Sequence, residues 1–197
     1  MNFLLIISSL AVLIANIQSQ PEPPPPGSKK DLCAFQDNLN TAIGGLSSSG
    51  QQIARQILLD VQHELGKVLQ NTYAQIKKDN SATLEKLKAA EGENLNKVFT
   101  AIGFNNETAF SGSQVDLCQI QTDGVAAFSK LSNSTQSKLM KIAKAYLEKA
   151  KPQLQGLSNT IMSKDQGLIM QLYKTEKMDK LMALANLLQT AMSLSSL

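Results

Sequence analysis

Tryptophan is absent, aromatic residues make up only 5% of the chain, and a single histidine serves all 197 residues. Proteins that bind single-stranded nucleic acid stack bases on several aromatic rings beside a basic groove. Aromatics this sparse, together with a net charge of only +3 from interspersed Lys, Asp and Glu, exclude nucleic acid as a partner. Transition-metal sites draw on several His or Cys ligands, whereas His63 stands alone with Asp60 and Glu64 nearby, and the three read as a solvated polar face. Serine is plentiful, but there is no GxSxG elbow, no phosphate-cradling GxxxxGK[ST] loop and no DxDxDG calcium loop. No catalytic residue, metal ligand or cofactor is expected, and the chain does not read as an enzyme.

Cysteine is nearly absent too. Cys33 and Cys118 are the only two, and neither belongs to a CxxC pair, which removes zinc and redox chemistry. In an oxidising compartment an even count reads as a disulfide. A bridge closing so long a loop contributes about 4–5 kcal/mol in the chain-entropy picture. Free thiols or an intermolecular bridge are the alternatives.

No hydrophobic run is long enough to span a bilayer, which takes about 20 apolar residues. The longest, Phe3 to Ile14, has the length of a signal-peptide core. Cleavage is expected after Ser19, with Ala15 the second choice. The segment carries no Lys or Arg, so an uncleaved anchor is the competing reading. Residues 1–19 are thus a signal peptide of a secreted protein. Five of the six prolines fall between Pro21 and Pro26, so residues 20–30 form an extended polyproline spacer. Residues 31–197 are long enough for one domain with a real core.

Within that domain, Leu, Ala, Gln, Lys and Met dominate and favour helix. The central stretch runs from Gln52 to Ile76. Ile53, Ile57, Leu58, Val61, Leu65, Val68, Leu69, Thr72 and Ile76 recur at three- and four-residue steps and share one helix face. Gly66 is its one weak point. Ahead of it, Asp31 caps a helix carrying Leu32, Phe35, Leu39 and Ile43, which Gly44-Gly45 ends. Asp79-Asn80-Ser81 breaks the central helix. Leu84, Leu87, Leu95, Val98, Phe99 and Ile102 then form a third, kinked at Glu91-Gly92-Glu93. After a loop from Gly103 to Ser113, Val115, Cys118, Val125, Phe128 and Leu131 make a fourth helix, with Gly124 in its middle. A fifth runs from Ser134 to Ala150 and should stop at Pro152. Leu154, Leu157 and Ile161 continue in helix, Ser163-Lys164-Asp165-Gln166 reads as a capping box, and a last helix opens near Thr175-Glu176. No alternating strand pattern occurs. The expected fold is all-α, a disulfide-pinned bundle of five to seven amphipathic helices.

Four surface or site features stand out. Asn106-Glu107-Thr108 and Asn133-Ser134-Thr135 are glycosylation sequons in breaks of a secreted chain, or else ordinary Asn-containing turns. Lys138, Lys141 and Lys144 form a basic row facing anionic lipid or glycan, or simply water. Membrane contact is at most peripheral. The uncharged end from Leu181 is too polar for a span, with Asn186, Gln189 and Thr190 in it. Met170, Met178, Met182 and Met192, with Met162, crowd the same end. Methionine fills irregular apolar space, so these are either core or the soft wall of a ligand pocket.

The proline run Pro23-Pro24-Pro25-Pro26 and the stretch Leu157-Ser158-Asn159-Thr160-Ile161-Met162-Ser163-Lys164-Asp165-Gln166 resemble the small secreted helical antigens and allergens of nematodes that carry a cation-binding-type helical domain. The resemblance covers about a third of the chain and implies a non-enzymatic extracellular binder. The expected function is accordingly a secreted helical bundle holding a small apolar ligand such as a fatty acid. The alternative is an interaction or immune-modulating protein that meets a partner protein, an anionic glycan or a cation through its surface.

Overall fold

The fold is known from a computed structural model, which describes residues 31–105 and 115–193. The expected signal peptide, the proline spacer and the Asn106 sequon lie outside the described residues. Eight helices and, among the described residues, no strand make up an all-α bundle. They are α1 (Leu32–Gly44), α2 (Ser48–Asp79), α3 (Ser81–Glu91), α4 (Glu93–Ala101), α5 (Leu117–Phe128), α6 (Asn133–Lys164), α7 (Gln166–Thr175) and α8 (Met178–Ser193).

Helix α2 is the central stretch. Val61, Leu65, Leu69 and Ile76 are buried along it as their spacing requires, and Ala54 and Tyr73 join them. It lies against the equally long α6 and against α7. Gly66 does not interrupt it; the residue is buried, where a missing side chain suits close packing. One apolar cluster joins α1 and α2 to Tyr146, Ala150, Leu154, Leu157 and Ile161 of α6. A second gathers Leu87, Leu95, Val98, Ala127, Phe128 and Leu131 around α4 and α5.

Three boundaries differ from expectation. Pro152 does not end a helix but sits inside α6. Its ring removes the donor to the Glu148 carbonyl, and both residues are exposed, on the outer side of the helix. Burial of Ala150, Leu154 and Leu157 on the inner face carries the helix through. Gly92, at φ 55°, divides the kinked third helix into α3 and α4. Asp165 ends α6 and precedes α7 without a side-chain capping bond, so the expected capping box is not made there. The division at Gly92 adds a helix and continuity through Pro152 removes one, and the described residues hold eight where five to seven were expected.

The described helices also form a repeat. Leu32, Ser48, Ser81 and Glu93 open α1 to α4, and Leu117, Asn133, Gln166 and Met178 open α5 to α8. Each start is displaced by the same 85 residues that separate Cys33 from Cys118. Those cysteines are bonded, one from the first turn of each half. Around them the hydrogen bonds are reciprocal. Leu32 N–H donates to Gln121 Oε1 at 2.7 Å, and Leu117 N–H donates to Gln36 Oε1 at 2.6 Å. Asp31 and Asp116 are the matching N-caps. The long helices start alike, on Ser47 and Ser132, and each serine is held by a glutamate of the other half. Glu176 accepts from the Ser47 hydroxyl and N–H, and Glu91 accepts from those of Ser132. Helix α1 packs on α8 and α4 packs on α5, so the halves interlock.

Candidate functional site

Between the halves, α2 to α6 leave a cleft with almost wholly apolar walls. Helix α2 supplies Tyr73 and Ile76, α3 Leu84, α4 Val98 and Phe99, α5 Phe128, and α6 Leu139, Ile142 and Ala143. Ile102 and Phe104, from the turn after α4, complete it. The cleft is open to solvent, and its empty space, counted out into the solvent beyond its mouth, is about 540 Å³. It therefore suits a slender apolar chain or a single ring.

The turn after α4 sets the geometry. Gly103 takes φ 72°, a conformation open to glycine at no steric cost. Gly103 N–H donates to the Thr100 carbonyl at 3.1 Å and Phe104 N–H to the Phe99 carbonyl at 2.7 Å. This is a Schellman termination, in which the residue after the glycine packs back onto the helix. The Phe99 and Phe104 ring centroids are accordingly 4.5 Å apart. Tyr73 meets Phe104 edge-on at 5.0 Å. The Tyr73 hydroxyl donates to the Ile102 carbonyl at 2.9 Å, tying the turn to α2. Burial drives the ionisation of that phenol far above the usual tyrosine range. Lys77, one residue beyond the lining Ile76, holds its Nζ 4.9 Å from the centre of the Phe104 ring.

The methionines expected to wall a pocket stand elsewhere. Met162, Met170, Met178 and Met182 are each more than half exposed, and the Met192 side chain lies outside the described residues. Lys138, Lys141 and Lys144 are exposed on α6. Each three-residue step falls back about 60° around a helix, so the first and last stand about 120° apart and the row winds across the outer face. Asn133 is exposed as the first residue of α6, while Thr135 of the same sequon is buried beside the Ser132 cap.

His63 is exposed, as a solvated polar face requires, but its neighbours are not idle. Lys164 Nζ lies 2.7 Å from Asp60 Oδ1 and 3.4 Å from Glu64 Oε1, and Lys67 lies 2.9 Å from the same glutamate oxygen. The Lys164 hydrogen bond lowers the Asp60 pKa, and that of Lys67 lowers the Glu64 pKa. Asp165, the next residue, is buried, and its Oδ2 has no hydrogen-bond partner. Burial first, then the charge of Asp60, raises its pKa. No group of three or more His, Cys, Asp or Glu among the described residues is placed to hold a metal ion. None of the described helices is long and apolar enough to cross a membrane.

Sequence reasoning missed the cleft because its rings come from separate places in the chain. Four of the nine aromatic residues line it. One signal was present: Gly103-Phe104 directly after a helix that ends in Phe99. Comparisons with family models, with curated proteins and with solved structures find no match to this chain.

Proposed function

We propose that the chain is a secreted, non-enzymatic binding protein that holds a small apolar molecule in the cleft between its halves. The observation carrying this reading is where the aromatics sit. In a protein so poor in rings, Tyr73, Phe99, Phe104 and Phe128 gather on one cleft. The repeat sharpens the point. Positions equivalent to Tyr73, Phe99 and Phe128 in the other half carry Ser158, Leu184 and Ile43, although caps and cysteines match. Ligand pockets elsewhere are mostly apolar with few polar groups, and lie between the helices of bundles. The disulfide suits an oxidising, extracellular setting.

Native mass spectrometry of material secreted by its own tissue tests this directly, a co-purifying apolar molecule being the expected result. Ala143→Trp fills the cleft and should abolish uptake of a fluorescent fatty acid while leaving the helical circular dichroism unchanged. Uptake undiminished in that variant would remove the cleft from consideration.

A further inference from the structure

Resting on that reading, we propose that the ligand is an anionic amphiphile whose apolar part occupies the cleft and whose carboxylate-type head sits on Lys77 at its mouth. The walls offer no donor for a polar head. The one buried hydroxyl among them, on Tyr73, already donates to the Ile102 carbonyl. A head group must therefore remain at the rim, and among the described residues Lys77 is the cation set against a lining ring, that of Phe104. It follows Ile76 and lies one helical turn beyond Tyr73, on the same side of α2, and both of those residues line the cleft. Its Nζ stands over Phe104, whose ring forms part of the wall. The side chain is exposed, and none of the ion pairs among the described residues uses it. A lysine in that position lays its methylenes along apolar surface and keeps its charge at the water boundary, which matches the two ends of an amphiphile.

The repeat supplies an internal control. The position equivalent to Lys77 in the second half is Met162, so the cation is present at only one of two equivalent places. Lys77→Met thus installs a side chain that the same fold already carries.

Isothermal titration calorimetry of the intact, disulfide-bonded protein with decanoate and with decanol is the test. Decanoate should bind more tightly, and Lys77→Met should weaken it by about three- to tenfold, the range for a partly screened ion pair. Decanol should bind Lys77→Met and the parent protein equally. Lys77→Arg should retain decanoate, and Lys78→Met, which removes the same charge one residue away, should not weaken it. If both probes bind but Lys77→Met leaves their ratio unchanged, the head-group assignment is wrong while the apolar cleft stands. If neither probe binds, both readings fail.

Discussion

Asp165 and Asn80 occupy the same joint in the two halves, after the long helix and before the short one that follows it. Asn80 fits: its Nδ2 donates to the Ile76 carbonyl and the Tyr146 hydroxyl, both at 3.2 Å. Asp165 is buried with Oδ2 unpartnered, and it feels the carboxylates of Asp60 and Glu64, against which the Lys164 ammonium gives only partial relief. Its folded pKa is raised, so the folded state holds this proton more tightly than the unfolded one. Stability from this residue is present below the unfolded value near 3.8 and declines as pH rises through the folded value. Asp165→Asn should therefore raise stability at pH 7 by about 1 kcal/mol, since it removes a buried charge whose Oδ2 has no hydrogen bond. The gain should vanish in acid, which urea melts at the two pH values will show. Asp60 and Glu64 have the opposite sign: their lowered pKa values give stability above the unfolded range that is lost as pH falls. At the same scale, Leu95 is fully buried in the smaller cluster, and Leu95→Ala should cost about 2–5 kcal/mol in the same assay. The inward position of Leu95 was readable from its spacing, because burial on an amphipathic helix follows a local period. The predicament of Asp165 was not, because α2 creates it from a hundred residues away.

Among elements, α6 is the one whose length defied its sequence. Pro152 is a strong local stop, but Ala150, Leu154, Leu157 and Ile161 keep one buried face through it. Tertiary packing outweighs the proline. Pro152→Ala should return the missing donor to the Glu148 carbonyl and stabilise the protein by about 1–3 kcal/mol. An unchanged or lowered melting temperature would mean the proline has an accommodation of its own. The joints between elements were partly legible. Asp31, Asn80 and Gly92 each mark a real boundary, because caps and breaks are made by adjacent residues. The glutamates that finish the caps of α2 and α6 were not, since Glu176 and Glu91 arrive from distant helices.

For the whole molecule, the disulfide joins the halves across an 85-residue separation. Its removal by Cys33→Ser with Cys118→Ser should cost about 4–5 kcal/mol on the chain-entropy account, measured by denaturation of the oxidised parent against the double variant. The repeat was open to reading in the identical triplets Asp31-Leu32-Cys33 and Asp116-Leu117-Cys118. It escapes helical periodicity because amphipathic stripes look alike whether or not they are copies. The interlocking of α1 with α8 and of α4 with α5 means that connectivity alone does not hold the halves together. A protease site inserted and cut between Asn105 and Val115 should leave the two pieces in one particle by size exclusion, even after reduction of the bridge.

The crossed glutamates carry a consequence for how the protein melts. Each half lends the other the group that seals the opening turn of its longest rod, so opening one half strips a cap from its twin. Scanning calorimetry should record a single endotherm whose width matches its total heat, and Glu91→Ala or Glu176→Ala should move that one peak downward without splitting it.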